Sequence, residues 1–423
     1  MNGFPTSNMA RWMAVFCIAF SSVCTACTSS SDSGDCIEIG LLASYTGEYG
    51  ANGFNFERAV QLAVDQVNDA GGVAGKKLCV AAADEHSNVA LGEKAAGDLL
   101  ATEQLPIVLG PDNLDLVVKV RSMLAEYGIF TILPGITVDD LLTGTVGMWL
   151  ELGPRAGDMG CALARRIYDG QLRKIAVVYD QQSLLSRASA EAIPVAIERY
   201  ELPTSPAEVT LFPIMAEQST SDVIEAVALA QPDALTVITS ASVAANLIQD
   251  GLRPAKGGGW FFGPNALTNA LLDNVPPGFL EDAVGIGPAF VNQSDAAALD
   301  AEFEREYDDA PFILSYYYFD ATALVALAIE KAYQDNGNQL PTAAQIHDAV
   351  RGVANGPGQR ITWQQLGDGL TMIRGGQDID YTGITGALTL DASGKLAQTA
   401  VEYIISRAET TGIVYEGRTT CPL

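Results

Sequence analysis

The chain has 423 residues, 48% of them apolar and 18% charged, which supplies a buried core for roughly two or three domains and excludes intrinsic disorder for most of its length. Against 24 Lys+Arg stand 51 Asp+Glu, a formal charge of −27, and a surface of that sign repels phosphate backbones, so nucleic acid is excluded as a partner. Only two histidines occur, His86 and His347; both read as surface residues and leave nothing from which to build a histidine metal site.

At the amino end Arg11 precedes the apolar run Trp12 to Phe20, and small and polar residues follow as far as Thr25-Ala26-Cys27. The run is too short to span the roughly 30 Å of a bilayer core, and the order of positive flank, short apolar core and small residues is that of an export signal, expected over residues 1–26. Thr25-Ala26-Cys27 resembles a bacterial lipobox, which makes Cys27 the expected lipidation site and residues 27–35, rich in Ser, Thr, Asp and Gly, a flexible tether. A plain secretory cleavage nearby is the alternative. The expected location is the bacterial cell envelope, on the periplasmic side, with the membrane reached through a lipid anchor. Cys17 and Cys24 leave with the signal, so Cys36, Cys79, Cys161 and Cys421 remain for two structural disulfides, and the residues alone leave the three possible pairings open.

From Cys36 the hydrophobic pattern alternates between short β-branched runs and amphipathic stretches. Strands are predicted at Ile37–Ala43, Leu78–Ala83, Ile107–Leu109 and Ile129–Leu133, with helices at Asn52–Ala70, Ala90–Thr102 and Leu114–Tyr127 between them. After Gly153-Pro154 the rhythm repeats. Helices are predicted at Ala156–Tyr168, Leu184–Tyr200, Ser221–Leu229 and Val243–Gly251, and strands at Lys174–Tyr179, Glu208–Phe212, Ala234–Thr239 and Trp260–Phe262. A third section carries helices Ala296–Tyr307, Ser315–Lys331 and Thr342–Val350, then strands Gly386–Leu390 and Thr399–Ile405. The predicted class is α/β, with two lobes built on parallel sheets. Ligands of open α/β sheets bind outside the carboxyl ends of the strands, which here carry Ser44-Tyr45-Thr46-Gly47, Gly110-Pro111-Asp112-Asn113 and Pro134-Gly135-Ile136-Thr137.

No motif argues for an enzyme: GxSxG and HExxH are absent, Gly75-Lys76-Lys77 lacks the spacing and the hydroxyl of a phosphate loop, and Gly285-Ile286-Gly287 lacks the third glycine of a dinucleotide fingerprint. Asp112, Asp115, Asp139 and Asp140 stand beside predicted helix starts, either as caps and first-turn acids or as an acidic cleft mouth that disfavours carboxylates. Tyr316 to Phe319 form either an aromatic wall or core packing.

Ile39-Gly40, Thr46-Gly47, Gly53, Ala63, Asn68, Gly71-Gly72-Val73 and Gly75-Lys76-Lys77-Leu78 stand in the order of the Leu/Ile/Val-binding protein family, the type I solute-binding proteins of ABC transporters. Gly110-Pro111, Pro134-Gly135-Ile136-Thr137, Phe262-Gly263-Pro264 and the segment Gly386–Asp391 with Gly394 extend the resemblance, which covers about residues 36–407. It implies two Rossmann-like lobes joined by a three-strand hinge with crossings near Leu152, Pro288 and Tyr381: 36–152 plus about 289–381 in one lobe, 153–288 plus about 382–423 in the other. It implies Thr137 and Gly135 as holders of a ligand head group, joined by Asn52 and Asn113 from the first lobe and by Ser183, Ser240 and Asn265 from the second. Asn265 stands where the family places the acid that pairs with an ammonium, Leu114 where it places a serine, and Leu184 and Ala241 where it places tyrosines. The resemblance also pairs Cys36 with Cys79 and Cys161 with Cys421. It implies a monomer without cofactor or metal that captures a small amino-acid-like or other polar solute for an ABC permease, or uses the same fold as an envelope sensor or scaffold.

Overall fold

The computed structural model describes residues 36–423 apart from 103, 201–206, 217–218, 265, 290–292, 391–395, 397–401, 410–411 and 422–423. The expected signal, Cys27 with its tether, and Asn265 lie outside the described residues.

The first half of the chain runs β1 (Cys36–Ala43), α1 (Gly50–Asp69), β2 (Lys77–Asp84), α2 (Val89–Thr102), β3 (Ile107–Leu109), α3 (Leu114–Glu126), β4 (Phe130–Leu133) and β5 (Met148–Glu151). These strands form one parallel sheet in the order β2-β1-β3-β4-β5, with Ile39 opposite Val80 on one side and Ile107 on the other. A parallel sheet is covered on both faces, which is why its strands read as continuous apolar runs. Ile39, Leu41, Ile107, Leu109 and Ile132 pack towards α1, while Leu42 and Val108 pack towards α2 and α3. The four-residue β5 lies between Gly147 and Gly153 and escaped the sequence reading because it is too short to show a period.

The chain then builds a second sheet: α4 (Ala156–Asp169), β6 (Lys174–Asp180), α5 (Leu184–Tyr200), β7 (Glu208–Ile214), α6 (Thr220–Ala230), β8 (Ala234–Ile238), α7 (Ala241–Gln249), β9 (Gly259–Phe262), α8 (Asn269–Asp273) and β10 (Val284–Pro288). Alternate residues of β6 face opposite cores: Ile175, Val177 and Tyr179 pack with α4 and α5, Ala176 and Val178 with α6 and α7. Pro213, which has no amide hydrogen to give, sits on the edge strand β7.

The third section returns to the first core with α9 (Gln293–Tyr307), α10 (Ser315–Asp335), α11 (Ala343–Ala354), β11 (Gln359–Thr362), α12 (Leu366–Arg374), β12 (Ile379–Gly383) and β13 (Gly386–Ala387). Here the structure corrects the last expected crossing. β13 pairs with β12, and Leu388, Leu390 and Leu396 all pack in the first core, so the chain crosses after Leu396 and not near Tyr381. It then completes the second sheet with the antiparallel strands β14 (Glu402–Glu409) and β15 (Gly412–Thr420), giving β15-β14-β10-β9-β8-β6-β7. A disulfide between Cys161 on α4 and Cys421 closes this end. Cys36 and Cys79 are free thiols in contact rather than a bridge: in the β1–β2 register Cys79 lies opposite Glu38, two residues from Cys36. Burial and its neighbour Cys36 push the Cys79 thiol up to about 12.

From Ser315 to Glu330 helix α10 is buried on every side, and two acids along it are buried with it. Glu330 accepts from the Ala74 amide at 2.8 Å and from Gln334, and Arg374 stands 3.5 Å away. Asp320 accepts from Tyr381 Oη (3.0 Å), from the amides of Ile384 (2.9 Å) and Thr385 (2.8 Å), and from Thr385 Oγ1 (2.6 Å), which fixes the β12–β13 turn. Gly383 is required there, because a Cβ would overlap this carboxylate. Burial pushes Asp320 up to about 6 against the pull of its donors. A carboxyl raised above its unfolded value favours the native state fully below the unfolded pKa, and that contribution is lost as pH rises through about 6. Asp320→Ala leaves several buried donors unmet and should cost about 3 kcal/mol in urea unfolding at pH 5. The gap to the parent protein should narrow at pH 7.5; a gap that widens between these pH values would contradict the burial of Asp320.

Candidate functional site

The carboxyl ends of both parallel sheets face one cleft of about 310 Å³. The first lobe lines it with Glu48, Tyr49, Asn52 and Phe56 from the β1–α1 segment, with Asp112, Asn113, Leu114 and Asp115 from the β3–α3 segment, and with Ile136 after β4. The second lobe contributes Asp180 after β6, Ser183, Leu185 and Ser186 at the start of α5, Thr239, Ser240 and Val243 around the start of α7, and Pro264 after β9; Leu314 closes one side.

Local chemistry explains how each loop is held. Asp84, at the end of β2, accepts from the amides of Tyr45 (2.9 Å), Thr46 (3.2 Å) and His86 (2.7 Å) and from Thr46 Oγ1 (2.7 Å). Burial pushes Asp84 up, but these donors outweigh it and hold the carboxyl below its usual range. The amide of Gly53 donates to the Ser44 carbonyl at 2.9 Å, an approach so close that a Cβ at residue 53 would overlap it. Glu48 and Tyr49 are thereby presented to the opposite lobe.

The two lobes touch across the cleft through the chain's own acids. Glu48 accepts from the amide (3.3 Å) and the hydroxyl (2.6 Å) of Ser242, in the first turn of α7. Asp115 accepts from the Leu184 amide (3.3 Å), the first of α5. Tyr49 meets the Ser240 side chain, and burial, followed by the charges of Glu48, Asp112 and Asp180, pushes its hydroxyl up to about 12. These contacts place first-lobe carboxylates on the positive ends of second-lobe helices. Behind the cleft wall, Asp112 donates its amide to Glu85 Oε1 at 3.2 Å, and the two carboxyls lie against each other. Burial first, and then the neighbouring acid, push Glu85 well up; burial pushes Asp112 up as well.

Of the residues expected to hold a ligand, Asn52, Asn113, Ser183 and Ser240 line this one cleft. Asn113 Oδ1 is already engaged as the cap of α3, accepting from Asp115 and Leu116, and Ser240 and Ser183 accept from amides in the first turns of α7 and α5. Gly135 and Thr137 are not among the lining residues. The Thr137 amide donates to the Pro154 carbonyl, its own carbonyl accepts from Ala156, and Gly135 abuts Gly153, so both serve the first crossing between the lobes. Tyr316 to Phe319 are core packing, nearly inaccessible within α10, though Tyr318 stacks beneath the cleft residue Phe56 at 4.3 Å. Sequence reasoning missed Glu48, Tyr49 and Asp180. Asp180 could have been found from its place just past the β-branched run of β6.

Two α/β lobes with parallel sheets, crossed three times by the chain and facing one another over a cleft, are the architecture of a type I periplasmic binding protein. The periplasmic binding protein family matches residues 36–371, and the chain belongs to it. Among curated proteins, the Leu/Ile/Val-binding protein BraC3 of Rhizobium johnstonii is 33% identical over 105 residues, 25% of this chain and 28% of that one. Leu/Ile/Val-binding protein homolog 3 of Brucella melitensis is 27% identical over 164 residues, 38% of this chain and 44% of that one. The matched stretches therefore span between about a quarter and under half of these relatives. Among solved structures, the branched-chain amino acid transporter substrate-binding protein LivJ of Streptococcus pneumoniae in complex with isoleucine superposes with a TM-score of 0.70 at 17% identity, covering 91% of this chain and 99% of that one. A solute-binding protein from R. palustris in complex with benzoate gives 0.68 at 15%, covering 91% and 97%.

Ser242→Ala removes the hydroxyl that donates to Glu48 from an exposed interlobe contact, worth about 1 kcal/mol of closure. Small-angle scattering of the solute-free protein should show a larger radius of gyration for this variant; an unchanged radius would mean that the contact does not hold the lobes together.

Proposed function

We propose that this protein is the extracytoplasmic solute-binding lipoprotein of an ABC transporter, exported behind residues 1–26 and anchored through lipidated Cys27 on the periplasmic side of the envelope. A monomeric body captures a small amino-acid-like or other polar solute between the lobes and presents it to the membrane permease; no bond is made or broken. The single observation that carries this reading is the cleft, which receives polar side chains from the strand ends of both lobes, so a solute filling it stabilises the closed arrangement of the two. Membership of the periplasmic binding protein family supports it, as do relatives named for Leu/Ile/Val binding. No described helix is long and apolar enough to cross a membrane.

A second reading, an envelope sensor or scaffold, is favoured by the interlobe hydrogen bonds of Glu48 and Asp115, which join the lobes through the chain's own side chains. Thermal unfolding of the mature chain across a panel of zwitterionic, anionic, neutral and cationic solutes separates the two. A binder at a hundredfold its Kd stabilises the native state by about 2.7 kcal/mol. A midpoint rise with one chemical class, weakened in Asn52→Ala, is the expected result, and no rise with any class would transfer the assignment to the sensor. Labelled fatty acid should enter the parent chain and be absent from Cys27→Ala.

A further inference from the structure

The charge of the cleft wall goes beyond that reading and rests on it. Among the described residues four carboxylates line the cleft, Glu48, Asp112, Asp115 and Asp180, and no Lys, Arg or His does. Arg187, within α5, acts on Asp115 and does not line the cavity. A solute carrying a carboxylate would need a base or a free helix amino end, and the chain has filled those ends itself. Asp115 takes the first amide of α5 and Ser183 the Ser186 amide; Glu48 takes the Ser242 amide and Ser240 that of Val243; Asn113 caps α3.

The remaining acids point the other way. Asp112 lies against Glu85, and Glu85 is fully buried with its Oε2 lacking any hydrogen-bond partner. Two carboxyls in contact repel unless they share a proton or a cation joins them. Asp180 accepts from the Gln182 amide and otherwise stands at the cleft with Asp112 and Asp115. Tyr49 and Phe56 supply aromatic surface, and Ile136, Leu185, Val243 and Pro264 supply aliphatic wall, suited to methylene or methyl groups around a cationic nitrogen. The cleft as a whole carries more negative charge than one ammonium requires.

We infer that the solute taken by this cleft is a small organic cation without a free carboxylate: an amine, a diamine or polyamine, a guanidine or a quaternary ammonium. A positive nitrogen beside Asp112 and Asp180 relieves the repulsion between the acids and draws the lobes together from both sides.

The test uses calorimetry and thermal unfolding of the mature protein with putrescine, spermidine, agmatine and choline, set against leucine, glutamate and benzoate. At least one cation should bind while the three carboxylates leave the melting midpoint unchanged, and raising the salt from about 50 to 300 mM should weaken the bound cation several-fold. Asp180→Asn and Asp112→Asn should each weaken it by about tenfold or more, whereas Glu225→Gln on the outer helix α6 should change it by less than about twofold. Binding of leucine, glutamate or benzoate without any of the cations would overturn the inference and leave the solute-binding assignment standing. A cation whose affinity survives the double variant Asp112→Asn/Asp180→Asn is held elsewhere on the acidic surface, which also overturns it. No binding by any of the seven probes would overturn both.

Discussion

The first lobe is organised around the all-round burial of α10. A helix with no solvent face must satisfy every polar group it carries from the protein, and α10 carries Asp320 and Glu330 near its two ends. Each acid recruits backbone from a different part of the chain: Asp320 gathers the β12–β13 turn, and Glu330 gathers the β2 approach at Ala74 and the end of α12. Elements from residues 36–151 and 293–396 are thereby held to one core, although the second sheet intervenes between them in sequence. The same helix supports the cleft floor, because Tyr318 stacks under Phe56.

The cleft follows from how charge is disposed on that scaffold. Helix amino ends facing a cleft ordinarily attract anions, and in this chain the anions are side chains from the opposite lobe. One arrangement does two jobs: Glu48 and Asp115 join the lobes, and in doing so they remove the positive ends that a carboxylate solute would use. The fold is shared with proteins crystallised with isoleucine and with benzoate, so the difference in solute chemistry argued above resides in loop residues and not in the architecture.

Much of the fold was legible because parallel strands covered on both faces leave continuous apolar runs; β1, β3, β4, β6, β8 and β9 all announce themselves in this way. What was hidden lacks that signal. β5 is very short, β11 and β12 belong to a small satellite sheet, and β15 is a half-buried edge strand in which Gly417, Arg418 and Thr419 break any apolar run. At the site, positions after strand ends were readable, and Asn52, Asn113, Ser183 and Ser240 do meet. The occupants of backbone groups were not readable: whether the Thr137 amide is free depends on the Pro154 carbonyl arriving beside it, a long-range event with no local pattern. Glu48, in a loop, carried no periodicity to mark it, and its role exists only because Ser242 comes to it from 194 residues away.

The route of the chain has a further consequence. The strand that pairs with β10 is β14, residues 402–409, and the disulfide partner of Cys161 is Cys421, 260 residues further along the chain. The second lobe therefore begins at Ala156 and cannot be completed until residues 402–421 have been made. During synthesis from the amino end, β10 waits with an open edge while more than a hundred residues of first-lobe helices are added. An unpaired edge of that kind invites pairing with other chains. A nascent molecule stalled or truncated before Glu402 would present that edge permanently, so the β14–β15 hairpin decides whether the molecule is released with its sheet closed or as a substrate for chaperones and proteases.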